Sequence, residues 1–389
     1  MIKLKCLFIA TLASLIFVIS SCRQSPVSEE RGIRSWSAIA ARIVKQAQLQ
    51  KEEKVLLVAE PGRFDPLVPL LQEEIGRAGA VYLGAVSITD QQPESWRTDF
   101  TASIGKQTND ELPALLGAVD LGIMLPGATP ADKVYAALQE VLKQGHGRTI
   151  HFHWAGAYRP DGVLFQPDEE VDSFYEHVLL NTDYDQLART QRAFEEAMRG
   201  AVVSVTTPEG TDLRFEIGTR QVTMQNGNAS AASMIDARTL IDREVELPAG
   251  AIRVAPVEES VAGVIAFPDA DWNGQRVAGL KMTFESGKVV TMEASDNLEA
   301  VQQEIDMAGD AARYFREFAL GLNPLLQIPD NDPWIPYYGY GAGVVRLSLG
   351  DNTELGGKVT GGYVRWNFFT NATVKVNETT WVENGKLIR

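Results

Sequence analysis

Four histidines, His146, His151, His153 and His177, are the only imidazoles in 389 residues, so metal or acid–base chemistry built on histidine draws on a small pool. His151 and His153 stand two apart in Thr149-Ile150-His151-Phe152-His153-Trp154, a stretch that reads as a strand, so both side chains project from one face. Such a pair can hold a metal, and it lies where open α/β sheets place their ligands. No carboxylate follows at a recognisable ligand spacing, however, and half-buried histidines at a strand end need no metal. A structural role is the favoured reading, and no metal is assigned. Gly339-Tyr340-Gly341-Ala342-Gly343 resembles a phosphate loop only superficially, because a strand follows it and not a helix whose N-terminus could hold an anion. It reads as a turn. Asn228-Ala229-Ser230, Asn371-Ala372-Thr373 and Asn377-Glu378-Thr379 are formal glycosylation sequons that read as polar turns, and there is no G-x-S-x-G nucleophile elbow.

Residues 1–21 carry Lys3 and Lys5 and then an apolar run from Cys6 to Ser20, shorter than the roughly 20 residues that span a bilayer. This is the pattern of an export signal peptide. Ile19-Ser20-Ser21-Cys22 resembles a bacterial lipobox, whose cysteine becomes the first residue after cleavage and carries acyl chains such as palmitate. The resemblance implies lipidation at Cys22 and a lipoprotein tethered to a membrane without spanning it. The expected location is the cell envelope, facing the periplasm or the exterior. Arg23 is not the aspartate that retains some lipoproteins at the inner membrane, which favours the outer membrane. With Cys6 lost and Cys22 lipidated, the folded body has no thiol, which excludes disulfides, Cys-ligated zinc, iron–sulfur clusters and cysteine nucleophiles.

Thirty-six Lys+Arg against 51 Asp+Glu leave a formal charge of −15, and loss of Lys3 and Lys5 makes the mature chain more acidic still. No run of Lys or Arg offers a footprint for phosphate backbones, so nucleic acid is not an expected partner. Hydrophobic residues at 45% and charged residues at 22% exclude a disordered or polytopic membrane chain.

The elements that must position any site fall into two rhythms. After a polar linker over 22–35, residues 36–200 alternate helices (37–50, 66–78, 131–143, 169–180, 185–199) with short apolar strands (55–59, 80–83, 121–125, 149–154). This predicts an α/β domain, a parallel sheet with helices on both faces. Residues 201–389 change to hairpins around Glu209-Gly210, Ser286-Gly287 and Asn384-Gly385, with one helix over 298–315. They predict an α+β, mainly antiparallel domain.

That second half resembles the M29 family of bacterial metallo-aminopeptidases, the aminopeptidase T type. The resemblance is carried by Gly210-Thr211-Asp212-Leu213 with Gly218-Thr219-Arg220, Leu247-Pro248-Ala249-Gly250, Ser260-Val261-Ala262-Gly263 and Phe284-Glu285-Ser286-Gly287. Glu317-Phe318-Ala319-Leu320-Gly321-Leu322-Asn323-Pro324 and Leu349-Gly350-Asp351-Asn352 continue it. The resemblance implies two divalent metal ions held in the C-terminal domain by glutamates, histidines and an aspartate, activating water against a peptide carbonyl. Residue by residue, the implied ligand positions are Ala251, Glu317, Arg346, Arg365 and Asn367, and only Glu317 is retained. A tyrosine the family places near Thr353 is absent.

Alanine has no donor atom, a guanidinium does not coordinate, and a neutral amide is a weak ligand. No cofactor is therefore expected, and Arg346 and Arg365 stand beside Glu317 either as an anion-binding pocket or as an internal salt-bridge cluster. The leading expectation is a catalytically degenerate M29-like lipoprotein acting in binding or scaffolding, with a peptide or an anion as ligand. Homodimerisation is a family expectation. The alternative is an active aminopeptidase with two metal ions and a site rearranged around Glu317, Glu258, Glu259, Asp351 or Glu354. A third reading, a metal enzyme centred on His151 and His153, requires a carboxylate to fold against their strand.

Overall fold

A computed structural model describes residues 35–154, 157–159, 164–165, 168–329, 334–336 and 340–389. The expected signal segment, residues 1–21, and Cys22 lie outside the described residues. The first half contains strands β1 (Lys54–Ala59), β2 (Val81–Ser87), β3 (Leu121–Met124) and β4 (Arg148–Phe152), all parallel. They alternate with helices α1 (Trp36–Ala47), α2 (Leu67–Arg77), α3 (Asp99–Ile104), α4 (Leu112–Leu116) and α5 (Lys133–Lys143). The strands are apolar on both sides because both faces are covered. Val55, Leu57 and Ala59 of β1 join the core beneath α1 and α2, while Leu56 and Val58 join Leu116, Tyr135 and Leu138 beneath α4 and α5. Ser35 caps α1 by accepting from the Ala38 amide at 3.3 Å, and Asp168 caps α6 (Glu169–Asn181) through two amides at 3.0 Å. Helix α7 (Tyr184–Met198) follows, and before α6 the short strands β5 (Ala157–Tyr158) and β6 (Leu164–Phe165) pair with each other.

Beyond residue 200 come β7 (Val203–Thr206), β8 (Asp212–Phe215), β9 (Thr223–Met224), β10 (Glu244–Leu247), β11 (Ala251–Val254) and β12 (Ala262–Ala266). The ribbon β13 (Ala270–Trp272) and β14 (Gln275–Val277), then β15 (Lys281–Glu285), β16 (Lys288–Glu293) and helix α8 (Leu298–Ala308) follow. The chain closes with β17 (Phe315–Gly321), β18 (Ile335–Pro336), β19 (Val345–Gly350), β20 (Val364–Phe369), β21 (Thr373–Val376), β22 (Thr379–Glu383) and β23 (Lys386–Leu387). A five-stranded antiparallel sheet, β20-β19-β17-β11-β9, packs on an eight-stranded one, β16-β15-β12-β8-β7-β21-β22-β23. Phe215 of the larger sheet meets Phe318 and Phe315 of the smaller at 5.1 and 6.3 Å between ring centroids, and burial of each ring contributes about 2–3 kcal/mol.

Both expected classes of architecture are present. The Ser286-Gly287 and Asn384-Gly385 hairpins have both central residues in the left-handed region, φ 49° and 78° in each, as type I′ turns require. The helix expected to reach 315 stops at Ala308, where Gly309 turns to φ 87°. Its apolar spacing continues only because Ala311 and Ala312 are buried in the single turn before β17.

The sheets do not part at residue 200. The order of the parallel sheet is β10-β4-β3-β1-β2, so its fifth strand, Glu244–Leu247, comes from the second half of the chain. Arg148, at the start of β4, fastens the junction: its guanidinium donates to both Glu53 oxygens at 2.8 and 3.0 Å, to the Ala47 carbonyl at 3.3 Å and to the Ala229 carbonyl. Replacing it by methionine strands a largely buried carboxylate. Arg148→Met is expected to cost about 3 kcal/mol or more, read as a lower urea midpoint with an unchanged slope.

Candidate functional site

Strand pairing assembles a cluster that linear spacing does not show. In the parallel register β10–β4, His151 is opposite Glu246 and Thr149 opposite Glu244, so all four side chains share one face of the sheet. The other face carries Ile150, Phe152, Val245 and Leu247, all in the core. His153 lies just past the strand, held by its amide donating to the Leu247 carbonyl at 2.7 Å.

His151 Nδ1 is 3.6 Å from Glu246 Oε1, and His153 Nε2 is in contact with Glu246 Oε2. One donor atom from each of these three residues lies within 4.8 Å of the others. Around them, Thr149 Oγ1 is 3.2 Å and Glu244 Oε1 3.8 Å from His151 Nε2, and the Tyr135 hydroxyl is 3.0 Å from Nδ1. Gln139 Nε2 donates to Glu244 Oε1 at 2.8 Å. His151, Glu244 and Glu246 are buried and His153 partly so. Burial drives the Glu246 carboxyl up, but His153 and His151 outweigh it and hold it well below the carboxylate range. Burial lowers the His153 imidazole, and in His151 the same effect is outweighed by Glu244 and Glu246, which raise it. A cavity of about 180 Å³, walled by Met124–Thr129, Tyr135 and Trp154, opens onto the two imidazoles.

The carboxylate that a histidine-centred site requires is thus present. Its signal in the sequence is the alternation Glu244-Val245-Glu246-Leu247, an acidic and an apolar face at strand period, but nothing local says which strand it joins.

The second cluster surrounds Glu317. A bulge between Phe315 and Glu317 places Arg316 and Glu317 together on the polar face of the five-stranded sheet. The Glu317 carboxylate, shut off from water, accepts from Arg253 Nε at 2.6 Å and from an Arg346 terminal nitrogen at 2.7 Å, with Arg316 Nε at 3.5 Å. Glu354 pairs with Arg316 and, at 3.4 Å, with Arg253. Burial raises the Glu317 carboxyl, and Arg253, Arg346 and Arg316 overcome it, leaving it well below the ordinary range. Of the two roles open to Arg346, the internal salt bridge is the one formed. Arg253 and Arg316, which the sequence reading did not single out, complete it.

Arg365 does not join. In the β19–β20 register Arg346 is opposite Phe368 and Leu349 opposite Arg365, so Arg365 and Asn367 belong to the face opposite that of Arg346 and Glu317. Residues Trp366 and Phe368 are the ones that share the Glu317 face, and the Arg346 guanidinium lies 5.2 Å from the Trp366 ring. Arg365 instead pairs with Glu304 at 2.9 Å and stacks on Trp272 at 3.4 Å, while Asn367 donates to the Leu347 carbonyl at 3.2 Å. A common anion pocket of Arg346 and Arg365 is therefore not formed. Ala251 is packed among Val178, Leu326 and Tyr340. The carboxylates of a rearranged site are committed elsewhere: Glu258 to Arg220 and Asn352, Glu259 to Lys358, and Asp351 to the Thr353, Gly361 and Gly362 amides. These residues do not fit a pair of divalent ions.

The two clusters are neighbours. Only Pro248, Ala249 and Gly250 separate β10 from β11, and Gln225 ties them, accepting from the Glu246 amide at 2.9 Å and donating its own amide to Ala251 at 2.8 Å. Burial raises the Tyr340 phenol, which also feels charges from both clusters, Arg253, Arg346 and Glu317 from one and Glu246 from the other. Beside the guanidinium cluster, a cleft of about 730 Å³ between α5 and the Thr353–Leu355 turn carries Lys143, Arg238, Arg243 and Arg316 against Asp351 and Glu354.

Residues 181–329 match the family model of the thermophilic metalloproteases, M29. No curated protein matches the chain. Among solved structures, 2,5-dihydroxypyridine dioxygenase from Pseudomonas putida KT2440 is similar at a TM-score of 0.59 and 17% identity, over 91% of this chain and 96% of that one. Wild-type AmpT from Thermus thermophilus is similar at 0.58 and 16%, over 91% and 99%. These likenesses establish the fold.

Removing the Glu317 charge leaves three guanidiniums with Glu354 as the remaining carboxylate beside them, so Glu317→Gln is expected to destabilise by about 3 kcal/mol near neutral pH. Because the folded carboxyl titrates below its unfolded value of 4.5, this stability is fully present above that pH and is lost as pH falls below it. The gap between wild-type and variant denaturation midpoints should therefore narrow on acidification.

Proposed function

We propose that the chain, whose residues 181–329 match the M29 family model, is an M29 relative that keeps the fold as a lipid-anchored envelope protein, binds a ligand and does not hydrolyse peptides. The observation that carries this reading is the Glu317 carboxylate, whose oxygens are taken by Arg253 and Arg346 where the family resemblance implies metal. With Ala251 packed in apolar surroundings, no donor set remains there for two ions. The cleft beside it, four cationic side chains against two anionic in a chain of formal charge −15, suits an anionic ligand such as a carboxylate or the C-terminus of a peptide. Anchoring rests on the signal segment and on Cys22; no helix among the described residues is long and apolar enough to cross a membrane.

The alternative, a metal-dependent aminopeptidase releasing N-terminal residues, rests on the family match. Full-length protein in detergent, assayed on aminoacyl p-nitroanilides and dipeptides with zinc, cobalt or manganese, is expected to show no release above background. Metal-dependent release that disappears in Glu317→Gln would establish the alternative. For the anchor, Cys22→Ser is expected to move the protein from the detergent phase to the aqueous phase on phase partition. A variant that stays in detergent would show that Cys22 carries no lipid.

A further inference from the structure

We propose that His151, His153 and Glu246 form a mononuclear site for a divalent first-row transition-metal ion, separate from the family position at Glu317 and independent of the ligand-binding reading above. The first argument is charge. Glu317, Glu258 and Asp172 are buried carboxylates, and each is neutralised by a guanidinium, from Arg253 and Arg346, Arg220 and Arg63 respectively. Glu244 and Glu246 are buried too, yet among the described residues neither is paired with a lysine or arginine; their partners are imidazoles and the Gln139 amide. With no guanidinium or ammonium among them, the two carboxylates depend on the imidazoles or on a bound cation for balance, and buried charges are costly unless balanced. One divalent cation balances them.

The second argument is geometry. The parallel register brings His151 and Glu246 side by side on adjacent strands, and the strand period returns His153 to the same side. The 3.6 Å between His151 Nδ1 and Glu246 Oε1 is close to the about 3.4 Å edge of a tetrahedron with arms of about 2.1 Å. Behind the cluster, the other nitrogen of His151 meets the Thr149 hydroxyl at 3.2 Å and the Glu244 carboxylate at 3.8 Å, and Gln139 holds that carboxylate at 2.8 Å. Hydroxyls of Thr149 and Tyr135 at hydrogen-bond distance from the far nitrogen, with a carboxylate behind them, are the kind of surroundings that orient an imidazole toward a metal.

The third argument is access. The site lies at the C-terminal ends of the parallel strands, and the cavity of about 180 Å³ at its mouth leaves room for coordinated water or a small oxygen-donor ligand. Two imidazoles and one carboxylate select zinc, iron(II), cobalt(II) or their neighbours over magnesium and calcium, which prefer all-oxygen shells. With three protein donors and open positions, this is the composition of a catalytic centre and not of a closed structural one.

The test uses the full chain in detergent, stripped with chelator and titrated with cobalt(II), reading ligand-field absorption and bound metal. One equivalent is expected, and Glu246→Gln and His153→Ala should each weaken it at least tenfold while circular dichroism shows the fold retained. X-ray absorption on the zinc-loaded wild-type protein, which needs no variant, should show two imidazoles and a carboxylate oxygen. If cobalt fails to bind, or binds equally well to both folded variants, the proposal is overturned and the cluster is an ion pair only, with the proposed function untouched. Two equivalents bound, with one lost in Glu317→Gln, would instead overturn the proposed function and leave the histidine site standing for the remaining equivalent.

Discussion

A carboxylate withdrawn from water must be neutralised where it stands, and at the seam between the parallel and antiparallel sheets this protein meets that demand in two ways. Glu317 is surrounded by guanidiniums that the bulged strand β17 and its neighbours β11 and β19 bring to one face. Glu246 is surrounded by imidazoles that the pairing of β10 with β4 brings to another. The strand registers matter because a slip of one residue would send each partner to the opposite face and leave the charge uncompensated. Packing alone would tolerate small shifts; these charges do not.

The seam is also where the chain returns to its own first half. Strand β10 completes the parallel sheet, and three residues later β11 enters the antiparallel one, so Glu246 and Arg253 are fixed relative to each other by a short covalent link. Gln225 and Gln191 satisfy the backbone groups of that link: Gln225 bonds the Glu244 carbonyl and the Glu246 amide, and Gln191 donates to the Gln225, Gly250 and Ala251 carbonyls. A buried link with unpaired peptide groups would cost more than the sheet pairing returns. The polar network thus serves the fold first and holds the two clusters in register as a consequence.

A shared fold does not carry a shared site. On the five-stranded sheet the Glu317 carboxylate serves as the anion of an ion-pair cluster with Arg253, Arg316 and Arg346. The neighbouring parallel sheet brings a different donor set, His151, His153 and Glu246, within reach of the same seam.

Much of the architecture was legible locally. Apolar runs flanked by amphipathic helices, and Ser286-Gly287 and Asn384-Gly385 between alternating segments, identify helices, strands and hairpins because periodicity and turn chemistry act within a few residues. That Ala251 and Arg346 offer no metal donor was legible too, since a methyl group has no donor atom and a guanidinium does not coordinate. Helix α8 was read too long because its apolar spacing continues through a turn that Gly309 alone breaks. What the sequence by itself determined, then, is the type of each element and the chemistry each side chain lacks. Only the tertiary structure decided which side chains meet: that β10 joins β4 and supplies Glu246 to the histidines, that Arg253 and Arg316 join Arg346 around Glu317, and that Arg365 and Asn367 turn away. The physical reason is that strand pairing is non-local and its register sets the face of every residue, so partners far apart in the chain are chosen by burial and hydrogen bonding across sheets, which spacing along the sequence does not encode.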